Sequence, residues 1–119
     1  MRRIEVRNTT RSVPLGDRVG LADTRWLRLR GMLGRPEPEP GEGLLIVPSR
    51  AVHMYGMRYP LDVIFLDRDG RVEALYPGLE PWSRSSVHRK ARYALEVPAG
   101  TIEATGTQEG DRLEWKTTS

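Results

Sequence analysis

Six residues, Leu61-Asp62-Val63-Ile64-Phe65-Leu66, commit this chain to a sheet. Pro60 in front of them has a fixed φ and pushes Tyr59 into an extended conformation, so the run is entered at a defined angle. Asp67-Arg68-Asp69-Gly70 behind them reads as a hairpin turn, because Asp and Gly tolerate the positive φ that such turns require. Arg71-Val72-Glu73-Ala74-Leu75-Tyr76 then returns antiparallel.

The rest of the chain follows the same grammar of short strands and turns. Arg3 to Arg7 alternates polar and apolar, as a half-buried strand does. Asn8-Thr9-Thr10 and Pro14-Leu15-Gly16 are turn material, and Arg18-Val19-Gly20-Leu21 is a second strand pairing back on the first. Asp23 or Thr24 caps a short helix that ends at Gly31 or Gly34. Helical spacing groups Trp26 with Leu29 and Leu33, which predicts that these three face the core. Pro36-Glu37-Pro38-Glu39-Pro40-Gly41 is an extended surface loop, too short to link domains. Gly43-Leu44-Leu45-Ile46-Val47 suits a strand buried on both faces, and Arg92 to Val97 is another alternating strand. A helical turn over 99–105 precedes Gly106, and Arg112 to Trp115 closes the chain. About seven strands predict one mainly β domain spanning 1–119, a small antiparallel β-sandwich or partly closed barrel with one or two short helices.

Composition narrows the chemistry. With 119 residues the chain can bury one core without staples. It has no cysteine, which removes disulfides, thiolate zinc sites and a cysteine nucleophile. No apolar run is long enough to cross a bilayer. The basic start has no apolar stretch behind it, so cytoplasmic residence is the expectation. Residues 1–35 carry nine arginines and a charge of +6, whereas the remainder carries −3, an asymmetry able to steer an anionic partner. Two side-chain amides and nine prolines suggest a thermophilic or GC-rich source.

The densest group of unusual side chains runs from His53 to Asp62. Asp62 shares a strand face with Ile64 and Leu66, and a carboxylate among such neighbours needs a partner or a wet pocket. Arg58 is the nearest candidate in sequence. Either the two line a polar pocket with His53 and Tyr55, or they form a structural ion pair. Glu96 shares a face with Ala94 and is a possible second carboxylate for acid–base work. His53, Met54 and Met57 have the softness for copper, but methionines beside aromatics usually fill a core, and no metal or cofactor is expected. Neither a phosphate-cradling glycine motif nor a serine elbow is present.

Several ordered blocks also resemble one known family. Arg30-Gly31-Met32-Leu33-Gly34-Arg35, Gly41-Glu42-Gly43-Leu44-Leu45, and His53 through Asp67 with Asp69-Gly70-Arg71-Val72 follow the pattern of domain of unknown function 192. Leu79-Glu80-Pro81-Trp82, Leu95 through Thr101, and Gly110-Asp111 continue it. The better-known branch of that family carries Trp, Met, Lys and Asn where this chain has His53, Met54, Tyr55 and Gly56. The chain is therefore similar to a second branch, with Met54 where that branch usually has threonine, and no role tied to the lysine transfers. The resemblance implies a mainly β domain with one or two short helices, and no established activity, cofactor or partner.

Three functions are compatible with these residues. The preferred one is a non-enzymatic module holding a small polar or anionic ligand, or a protein segment, among His53, Tyr55, Arg58, Asp62, Trp82 and Glu96. The second is an acid–base enzyme of hydrolase type that uses Asp62 and Glu96 with His53, which requires those groups to meet in one cavity. The third is binding of nucleic acid or a membrane surface through the N-terminal arginines; the core spacing of Trp26 and the acidic remainder of the chain argue against it.

Overall fold

The computed structural model describes residues 1–118. Seven strands form a single sheet: β1 (Arg3–Asn8), β2 (Val13–Ala22), β3 (Glu42–Ile46), β4 (Leu61–Asp67), β5 (Val72–Leu79), β6 (Ala91–Pro98) and β7 (Leu113–Thr117). Two short helices, α1 (Arg25–Arg30) and α2 (Thr101–Thr105), accompany them. The strand order is β5-β4-β6-β3-β2-β1-β7. Every ladder is antiparallel except β2–β3. Parallel neighbours cannot be joined by a tight turn, so the chain between Ala22 and Glu42 crosses over through α1 and the proline loop.

The sheet curls until its edges meet at one end. Arg71 bridges Arg112, Val72 N donates to the Asp111 carbonyl at 2.8 Å, and Leu113 N donates to the Gly70 carbonyl at 2.8 Å. The result is the partly closed barrel of the two predicted forms. Its interior holds Ile4, Val6, Val19, Leu45, Ile64, Leu66, Leu95 and Leu113, with Ile102 of α2 plugging one end. A second apolar layer covers the outside of β3, β4, β5 and β6: Leu44, Ile46, Val63, Phe65, Ala94 and the methionines Met32, Met54 and Met57. β4 is thus buried on both faces, which is why its sequence reads as an apolar run rather than an alternation.

Two local readings need correction. Pro14-Leu15-Gly16 lies inside β2 rather than in a turn. The ladder to β1 is irregular on both sides of Val6, and Gly16 packs where a Cβ would stand 2.9 Å from the Gly41 carbonyl oxygen. A bulge and a close backbone approach explain residues that otherwise signal a turn. Trp26, Leu29 and Leu33 are exposed, not core. Thr24 Oγ1 does cap α1, accepting from Leu27 N at 3.2 Å, but the helix buries no residue fully. Half-buried Leu27 is the side chain it turns towards the outer apolar layer.

Candidate functional site

The outer apolar layer is roofed by two segments. One is α1 with the turn after it, where Gly31 closes the helix by donating its N–H to the Leu27 carbonyl. The other is the stretch from Pro48 to Tyr59, held by a second loop: Met54 N donates to the Ser83 carbonyl, Ser85 N to the Val52 carbonyl, and Trp82 N to the Met54 carbonyl, at 2.8, 2.9 and 2.8 Å. Ser85 Oγ accepts from Val52 N at 3.0 Å. Between the two roof segments lies a cleft of about 520 Å³.

Glu96 forms the floor of this cleft. It pairs with Leu44 on one side and Val63 on the other, so its side chain projects from the outer face of the sheet. It is only 4% exposed, and its Oε1 is the one fully buried side-chain nitrogen or oxygen without a hydrogen-bond partner among the described residues. Directly above it is Gly31; a Cβ there would stand 3.8 Å from Oε1. Burial away from water pushes the carboxyl up to about 7. The walls bear Arg25, Arg28, Arg30 and Arg50, together with His53 and Tyr55. His53 and Tyr55 stack with ring centroids 4.8 Å apart and planes 19° from parallel, and Tyr55 N donates to His53 Nδ1 at 3.3 Å. That bond leaves Nδ1 as the acceptor nitrogen of the ring.

The structure divides the six candidates read from the sequence. His53, Tyr55 and Glu96 share the cleft. Arg58 lies in a neighbouring hollow of about 540 Å³ with Tyr59, Arg35 and Glu37. Trp82 is exposed and outside the cleft lining; its φ of 69° is unusual for a bulky residue, and its N–H anchors it to Met54. Asp62 is buried on the inner face, opposite Val97, and has no bond to Arg58. Its Oδ1 accepts from Gly78 N and its Oδ2 from Ile102 N, both at 2.8 Å, so it ties the barrel to the first turn of α2. Asp62 and Glu96 therefore occupy opposite faces of the sheet and cannot serve one acid–base reaction.

Several features of the site were not singled out in the sequence. The arginine rim was visible there only in part, as a basic segment that does not reach Arg50, and Gly31 only as a helix end and a member of one family block. Tyr59 donates its hydroxyl to the Arg35 and Pro36 carbonyls at 2.9 and 3.2 Å. Burial and the nearby Glu96 and Glu37 raise its phenol above the ordinary range, partly offset by Arg35. His88, isolated in sequence, contacts the Tyr76 hydroxyl at 2.6 Å and packs on Phe65. No group of three or more His, Asp or Glu side chains converges as a metal site among the described residues.

Comparison with known proteins agrees with the family resemblance. The family model DUF192, described as Uncharacterized ACR, matches residues 6–115. A UPF0127 protein of the archaeon Pyrococcus furiosus is 35% identical over 114 residues, covering 91% of this chain and 95% of its own length. The crystal structure of a protein of unknown function from Novosphingobium aromaticivorans superposes with a TM-score of 0.78 at 25% identity, over 95% of this chain and 84% of that one. A Sinorhizobium meliloti protein, provisionally described as a transcription regulator, also gives a TM-score of 0.78, at 30% identity over 96% and 92% of the two chains.

Proposed function

Because this chain belongs to the DUF192 family, which brings no activity with it, we propose a function from the chain's own geometry: a non-enzymatic binding module for a small polar ligand. The ligand carries an anionic group for the arginine rim and a hydrogen-bond donor for the floor. The observation that carries this reading is Glu96 Oε1, a buried oxygen at the base of an open cleft with nothing bonded to it. A buried polar atom left unpaired costs on the order of 1–3 kcal/mol, and a ligand donor would recover that. Near neutrality the carboxyl group titrates, so it can accept a hydrogen bond in either state and donate one when protonated.

The rim supplies the second half of the recognition. None of Arg25, Arg28, Arg30 and Arg50 makes an ion pair among the described residues, and no second carboxylate lines the cleft. Unpaired guanidinium groups are suited to carboxylate or phosphate. The stacked His53–Tyr55 pair offers a flat wall. A nucleic-acid role is the runner-up: the description of the Sinorhizobium neighbour favours it, whereas an unpaired carboxyl at the floor suits a small molecule. A cytoplasmic setting is part of the proposal, and cell fractionation tests it.

Thermal-shift screening of the full chain against carboxylated and phosphorylated metabolites tests the reading. The expected result is a compound that raises Tm and whose effect falls at least tenfold in potency in both Glu96→Leu, which removes the acceptor, and Arg50→Ala. No stabiliser at millimolar concentration, or one indifferent to both substitutions, overturns it.

A further inference from the structure

The bank of the cleft formed by α1 has a property that a small ligand does not require. Trp26 and Leu29, three apart on α1, are 67% and 72% exposed, and Leu33, in the turn beyond Gly31, extends this row along the chain with a third large apolar side chain that is 42% exposed. Tyr55, 44% exposed, stands on the opposite bank. The core gains nothing from this row, since α1 buries no residue and only Leu27 leans inward. Large apolar side chains grouped in water mark a contact surface.

The charges around the row are nearly all positive, because Asp23, just before α1, is already paired with Arg2 at 2.7 Å. Residues 24–36 hold Arg25, Arg28, Arg30 and Arg35 and no acid; the acids resume at Glu37 in the proline loop. No ion pair engages these four guanidinium groups among the described residues. Arg28, Arg30 and Arg35 instead donate to backbone carbonyls of Asp23, Leu33 and Gly31, which leaves their positive charge uncompensated.

We propose that this ridge docks on an anionic phospholipid bilayer. Trp26, Leu29 and Leu33 enter the boundary between headgroups and acyl chains, and the arginines lie against the phosphates, the division of labour of an interfacial helix. Nucleic acid shares the anionic charge, but leucines can neither stack on bases nor bond to their edges. An acidic protein helix would lay its apolar face into a groove, whereas Trp26, the largest of these side chains, lies outside the cleft lining and is 67% exposed. With a single short helix the attachment is weak and reversible, and each arginine adds roughly fivefold in affinity at low salt.

Co-sedimentation of the full chain with vesicles is the test. We expect pelleting with phosphatidylcholine–phosphatidylglycerol vesicles at low salt, none with phosphatidylcholine alone, and release by added salt. Trp26→Ser/Leu29→Ser, both at exposed positions, should keep the wild-type Tm and lose at least tenfold in vesicle affinity. Should that pair disturb folding, Arg25→Ala/Arg28→Ala serves the same purpose, with an expected loss of tenfold or more. The inference shares Arg25, Arg28 and Arg30 with the ligand reading but not Glu96, so Glu96→Gln should sediment like wild type. No binding at low salt, apolar variants that bind like wild type, loss of binding in Glu96→Gln, or tighter binding to DNA than to the vesicles would each overturn it.

Discussion

Glu96 and Asp62 are both carboxylates set among apolar neighbours, yet the fold treats them oppositely. Asp62 is satisfied by two backbone amides, Gly78 and Ile102, so we expect Asp62→Ala to cost on the order of 2–4 kcal/mol in denaturant unfolding, with α2 loosened first. A change below about 0.5 kcal/mol would contradict that assignment. Glu96 is unsatisfied, and desolvation carries it from an ordinary 4.5 to about 7. A carboxyl group raised in the folded state binds more protons there than in the unfolded chain, so its stabilising effect is complete below 4.5 and is lost as pH rises to 7. The loss is on the order of 3 kcal/mol. Glu96→Gln should therefore be more stable than wild type at pH 8 and no more stable at pH 4, as read from urea midpoints. That Asp62 needed a partner was legible in the sequence. Which partner was not, because backbone donors 16 and 40 residues away leave no mark in side-chain identity.

Among the elements, the hairpin between β4 and β5 was the most legible, and the reason is local. Asp67 Oδ1 accepts from Asp69 N and Arg71 N, each at 2.9 Å, and Gly70 takes a φ of 84°. All the residues that shape this turn lie within it. Its second duty was not legible: a Cβ on Gly70 would stand 2.5 Å from the Leu113 carbonyl oxygen, where the far edge of the sheet arrives. Gly70→Ala must therefore strain the turn and push the barrel seam apart. We expect a loss of about 2 kcal/mol or more, with faster hydrogen exchange at Leu113 than in the β4–β6 ladder. Equal exchange at both places would mean that the seam does not depend on this glycine. α1 shows the converse failure. Helical spacing joins Trp26 to Leu29, but α1 ends at Arg30 and Gly31 takes a φ of 53°, so Leu33 lies beyond the helix, and a period of 3.6 says only which residues share a face. The crossover path from β2 to β3 decides which way the face points, and here it points outward.

Across the whole molecule, two buried acids pull the pH dependence in opposite directions. Asp111 sits where β7 is led into the barrel, held by Arg11 Nε at 2.6 Å, Asn8 Nδ2 at 2.9 Å and Gln108 N at 3.0 Å. Burial alone would raise its carboxyl, but these bonds more than offset that and hold it below its ordinary 3.8. Its contribution is thus complete above 3.8 and fades as pH falls through the depressed value. Glu96 contributes fully only below 4.5. Both conditions are met together only in a narrow acidic window, so the joint contribution of these two groups to stability is greatest near pH 4 and smaller at neutrality, which a Tm profile of wild type against the two single variants reads out. The limbs are separable, because Asp111 closes the barrel seam and Glu96 lies outside it under the cleft roof. Asp111→Asn should flatten the acid limb and lower the peak, while Glu96→Gln should flatten the limb above it and leave the acid side unchanged. A wild-type maximum at pH 7–8 that neither substitution moves would show that Glu96 is solvated in the folded protein, and the unpaired floor of the cleft would go with it.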